Sequence, residues 1–109
     1  MVKTLSNIEN KAVEEFKQKI IDRFRNAEFI LFGSKARGEG NEYSDIDILV
    51  LLENEPNISI EEEIIDIGFE LEIKYDVVLG IITHSKTFWD SIGSLMPIHK
   101  EIEKDGIQI

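Results

Sequence analysis

Apolar residues recur along the chain first at helical and then at strand spacing. Ser6 followed by Glu9 is a capping-box start, and Val13, Phe16, Ile20 and Phe24 follow at three- and four-residue steps. This predicts an amphipathic helix over 7–25. "AEFILF", 27–32, is a short apolar run closed by Gly33 and reads as a buried strand. Residues 34–44 are polar and glycine-containing, a loop with room for one helical turn. "DIDILVLL", 45–52, is apolar on both faces after Asp47, which predicts a central strand covered on both sides.

Beyond the "ENEPN" turn, Ile60, Ile64, Ile67 and Leu71 mark a second amphipathic helix, 59–73. Glu61, Glu62 and Glu63 suit its first turn and solvated face. "YDVVLG", 75–80, is the expected third strand. Short helices are expected over 85–94 and 97–105, divided before Pro97 and stopped at Gly106. "GIQI" adds a terminal strand or packs loosely. The expected fold is α/β (α+β), a small mixed sheet with flanking helices in a single domain, 1–109.

Topology gathers the polar residues. Gly33 and Ser34 end one strand, and Asp45 and Asp47 open the next one loop later, so the two strands should be antiparallel. The following β-α-β unit favours parallel pairing with a right-handed crossover. Ser34, Asp45, Asp47 and Asp76 are then expected at one rim of the sheet.

Composition narrows the chemistry. The 109 residues are 42% hydrophobic and 31% charged, as in globular domains, and contain no cysteine, which excludes disulfides and thiolate metal sites. The formal net charge of −10 argues against direct nucleic-acid binding, which rests on phosphate neutralisation by Lys and Arg. The early acids are unlike a signal peptide, and no run is long enough to span a membrane. A cytoplasmic protein is expected.

Asp45 and Asp47 lie at i and i+2, so they project to one face with Cα atoms roughly 6–7 Å apart. Neighbouring carboxylates resist joint ionisation, and a divalent cation removes the conflict. Magnesium suits them, because it takes one or two carboxylates together with substrate phosphates. The Gly33–Ser34 turn offers N–H groups and a hydroxyl to phosphate oxygens, with Lys35 and Arg37 adding positive charge. His84 and His99 read as surface or packing residues, and Phe88 and Trp89 as core.

"GS" at 33–34, ten intervening residues and "DID" at 45–47 resemble the signature of the DNA polymerase β-like nucleotidyltransferase superfamily. The run "GSKARGEGNEYSDIDILV" and the closing "KEIEKDGIQI" are similar to its smallest members, the minimal nucleotidyltransferase (MNT) proteins. The resemblance implies nucleotidyl transfer from ATP. Asp45 and Asp47 would bind two Mg²⁺ ions, Asp76 would ligate one and help activate the acceptor hydroxyl, and Gly33 and Ser34 would hold the triphosphate. Asp66 and Glu72 are the other acids near the third position.

A chain of this length has no room for the helical domain that presents the acceptor in larger relatives, so another molecule is expected to bring it. The family's usual partner is a HEPN-domain ribonuclease toxin. The antitoxin transfers AMP from ATP to a tyrosine hydroxyl of that toxin, within a hetero-oligomer. The alternatives are a catalytically silent antitoxin that binds the HEPN partner, and transfer to a small hydroxylated molecule.

Overall fold

The computed structural model describes residues 1–41 and 43–109; residue 42, in the expected loop, lies outside the described residues. Helix α1, Asn7–Arg23, starts where the capping box demands. Ser6 Oγ accepts the Glu9 N–H at 3.1 Å, and Glu9 Oε1 accepts the Ser6 N–H at 2.8 Å. Strand β1, Glu28–Phe32, runs directly into a one-turn helix α2, Gly33–Arg37. Strand β2, Ile46–Leu52, follows, and Asn57 caps helix α3, Ile58–Tyr75, by accepting the Ile60 N–H at 2.9 Å.

Strand β3 spans Leu79–Ser85. Ser85 then caps the short helix α4, Lys86–Asp90. A 3₁₀ turn, Ile92–Leu95, leads to helix α5, Pro97–Asp105, and strand β4, Ile107–Gln108. The sheet order is β3-β2-β1-β4, with β1 antiparallel to both its neighbours and β2 parallel to β3. The mixed sheet and the central β2 are therefore as expected, and "GIQI" does supply a strand, paired with β1.

Alternation along β2 divides the core. Ile46, Ile48, Val50 and Leu52 meet Val13, Phe16 and Ile20 of α1 and Ile64 and Leu71 of α3. Leu49 and Leu51 face the other way, onto Trp89 and Ile102. Ile48, Leu49 and Val50 are wholly excluded from solvent, which explains why this strand is apolar on both faces.

Three boundaries differ from the sequence expectation. Helix α1 ends at Arg23, with Phe24 as its C-cap. The expected helix over 85–94 is broken at Ser91 into α4 and the 3₁₀ turn. The third strand begins at Leu79, not at Tyr75. Tyr75 remains helical, with its hydroxyl donating to Glu15 at 2.8 Å, and Asp76 closes α3 in the left-handed conformation at φ 54°. The Asp76 and Val77 N–H groups both turn back to the Glu72 carbonyl, so "YDVV" completes a helix end before the strand begins.

Candidate active site

The β1–β2 register places Phe32 opposite Asp47, bringing the Gly33 turn against the second aspartate. Gly33 has φ +77°, a conformation that favours glycine, and a Cβ on it would lie closer than 3.0 Å to Asp47 Oδ2. The turn thus meets Asp47 at the sheet rim, as the antiparallel connection predicts, and the neighbour that requires glycine is the aspartate itself. Among the described residues helix α2 has no side-chain cap at its start, which leaves its first-turn N–H groups for another acceptor. The Ser34 carbonyl accepts the Glu39 and Gly40 N–H groups at 3.0 and 3.2 Å, folding the following loop back over the turn.

Asp45 is exposed and Asp47 half-buried. Burial, reinforced by the neighbouring Asp45 charge, raises the Asp47 carboxyl above its ordinary range, and Arg37 only partly offsets this. Two hard oxygen donors in mutual repulsion suit a divalent cation, so the residues present fit Mg²⁺. Arg37 itself is held by Glu39 at 3.2 Å and lies 3.9 Å from Asp105 of α5.

Two of the expected site residues have other roles in the fold. The Lys35 side chain is 95% buried, its ammonium 2.6 Å from Glu9 Oε2 and donating to the Asn41 carbonyl. Its charge is neutralised inside the protein and joins α2 to α1 and to the loop, in place of the expected position beside phosphates. Asp76 is exposed and lines a cleft of about 760 Å³ with Lys35, Ser44 and Tyr75. Among the described residues, no three His, Asp or Glu side chains come together as a metal-binding group. Asp66 and Glu72 thus do not complete the pair either. Glu72 instead accepts the Leu79 N–H at 3.3 Å.

The histidines belong to packing. His84 stacks on Phe88 with ring centroids 4.5 Å apart and bonds Glu55 at 2.8 Å, while the buried His99 lies against Trp89. Sequence reasoning missed Gly80. The β2–β3 register sets it beside Asp47, and a Cβ there would lie closer than 3.0 Å to Asp47 Oδ1. Spacing alone gave no signal for it, because the level of β3 depends on where α3 stops.

A mixed sheet carrying a Gly-Ser turn against a D-x-D strand defines the nucleotidyltransferase class of enzymes. Comparison with known proteins agrees. The chain belongs to the nucleotidyltransferase domain family, whose model matches residues 11–108. It is 32% identical over 99 residues to MJ0141 of Methanocaldococcus jannaschii, named as a candidate protein adenylyltransferase, covering 89% of this chain and 94% of that one. MJ1379 of the same organism carries the same name and is 32% identical over 111 residues, covering 99% of this chain and all of the relative.

Solved structures share the fold. A toxin–antitoxin structure with AMP-PNP superposes with a TM-score of 0.61 at 21% identity, over 94% of this chain and 72% of that one. A structure described as a minimal nucleotidyltransferase gives 0.60 at 22% identity, over 95% and 97%. The chain is thus a nucleotidyltransferase, similar to candidate protein adenylyltransferases. Among the described residues no helix is long and apolar enough to cross a membrane.

Proposed function

We propose that this chain transfers AMP from ATP to a tyrosine hydroxyl of a HEPN-domain ribonuclease toxin, and so acts as its antitoxin. The observation that carries the reading is the Asp45–Asp47 pair facing the Gly33 turn, with the Asp47 carboxylate packed against that glycine. The protein-adenylyltransferase names of the relatives support the reaction class. The toxin–antitoxin neighbours, one with AMP-PNP, support a toxin partner and an adenine nucleotide.

In the reaction the acceptor oxygen forms a bond to the α-phosphorus of ATP, the bond to the β-phosphate oxygen breaks, and pyrophosphate leaves. The hydroxyl proton passes to solvent water as the phosphodiester forms. Asp45 and Asp47 would hold Mg²⁺, which would neutralise charge on the phosphate oxygens. The uncapped first turn of α2 and the Ser34 hydroxyl bind phosphate oxygens, and Arg37 adds positive charge beside Asp47. Lys35 acts from behind, fixing α2 to α1 through Glu9. Positioning and charge neutralisation are the main demands of this chemistry.

A second reading, neutralisation of the HEPN partner by binding alone, is favoured by Asp76, which caps α3 and, among the described residues, forms no three-acid group with the aspartate pair. The two readings separate when the chain is incubated with α-labelled ATP, Mg²⁺ and the HEPN protein. Label on a partner tyrosine, lost with Asp47→Asn, is the result expected of transfer. Neutralisation of the toxin without any label overturns transfer in favour of binding.

A further inference from the structure

We propose that, among the described residues, the cation centre of this chain is built from the two carboxylates Asp45 and Asp47, with Gly80 as the residue that positions Asp47 and with Asp76 outside the centre. This rests on the reading of Asp45 and Asp47 as the Mg²⁺-binding pair.

Parallel pairing sets Asp47 beside Gly80 and Ile46 beside Leu79. A side chain on β3 facing the aspartate pair would therefore stem from position 80, which has none. None fits, because a Cβ there would lie closer than 3.0 Å to Asp47 Oδ1. The β1 side is closed in the same way, by the approach of Gly33 to Oδ2. The Asp47 carboxylate is thus held in a slot between two glycines on the two neighbouring chain segments.

The two glycines are there for different reasons. Gly33 has a positive φ, so its backbone alone favours glycine. Gly80 does not, and it sits inside a strand, where glycine is less favourable than alanine. What its missing side chain provides is space for Asp47 Oδ1. A longer residue at 80 would turn the carboxylate away from the Gly33 turn and from Asp45.

Asp76 meets the opposite circumstances. It precedes β3 and caps α3 at φ 54°, on the cleft with Tyr75 and Ser44. That helix end is tied twice to the Glu72 carbonyl, so bringing Asp76 into β3 would unwind the last turn of α3.

The test is Mn²⁺ binding in the presence of AMP-PNP, followed calorimetrically on the full chain and its variants. Gly80→Ala, Asp45→Asn and Asp47→Asn should each weaken Mn²⁺ tenfold or more. Asp76→Asn should stay within twofold of wild type, because asparagine keeps the left-handed cap. Equal losses for Asp76→Asn and Asp47→Asn, or wild-type binding by a folded Gly80→Ala, overturn the inference while leaving the Mg²⁺ reading intact. Absence of Mn²⁺ binding by wild type overturns that reading and this inference with it.

Thermal melts keep the slot testable even if Gly80→Ala binds poorly through misfolding. Gly80→Ala should lower Tm when Asp47 is present and lower it much less in an Asp47→Gly background. An equal loss in both backgrounds removes the proposed contact.

Discussion

Lys35 Nζ lies 2.6 Å from Glu9 Oε2, and the two side chains are only 5% and 12% exposed. This pair ties the first turn of α1 to α2, the helix that presents the Gly33–Ser34 turn. Removing one member of a buried pair leaves the other uncompensated, which typically costs about 3–5 kcal/mol. Lys35→Met should lower the unfolding free energy by roughly 3 kcal/mol in urea titrations, far more than an exposed lysine would. A loss near zero would mean that the pair adds nothing.

The same pair sets an acid-side signature. Burial alone would raise the Glu9 carboxyl, but the hydrogen bond from Lys35, the Ser6 contacts and the Lys35 charge together hold it below the usual carboxylate value. A depressed folded-state pKa stabilises the protein above the unfolded value and ceases to do so as pH falls towards the folded one. Unfolding free energies measured from roughly pH 6 down to pH 3 should fall in wild type. The slope should be shallower in Lys35→Met, where Glu9 no longer has its partner.

Asp47 has the opposite sign. Its carboxyl is raised, by burial first and by Asp45 second, so its favourable contribution is present at low pH and is lost as pH rises through the folded value. At neutral pH without cations, Asp47→Asn should therefore stabilise the protein, by about 1 kcal/mol or less because solvent screens the pair. Mg²⁺ should raise the Tm of wild type and leave that of Asp47→Asn nearly unchanged. Stabilisation of both alike by Mg²⁺ would contradict a site at Asp47.

Arg37 is the positive charge felt by Asp47. A charge-assisted contact to phosphate is worth about 1.5–3 kcal/mol, so Arg37→Met should weaken ATP binding by about tenfold or more. Titration of the nucleotide, with a melt to check the fold, measures this. Unchanged affinity would leave Arg37 only its Glu39 and Asp105 contacts.

Much of this architecture was legible in the residues. The capping box, the closed apolar run before Gly33 and the two-sided apolar β2 each have a local cause, and each element forms where that cause lies. The Gly33–Asp47 approach was also legible, because an antiparallel connection leaves those ends few other arrangements. The destination of Lys35 was not, since its partner Glu9 is brought in by the packing of α1 rather than by proximity in the chain. The level of β3 was hidden for a different reason. "YDVVLG" has strand composition throughout, but Tyr75 and Asp76 are held on α3 by Glu15 and Glu72, contacts with no periodic trace. That shift set Gly80 beside Asp47 and kept Asp76 at the end of α3.

Transfer of AMP to a protein tyrosine by the Asp45–Asp47 site would leave a covalent mark on the partner. Intact-mass and peptide mass spectrometry of the HEPN partner, after incubation with ATP, Mg²⁺ and this chain, tests it most directly. An added AMP on a tyrosine is expected with wild type, and none with Asp45→Asn or Asp47→Asn folded to wild-type stability or better. An unmodified partner with wild type, or modification that survives both substitutions, would contradict it.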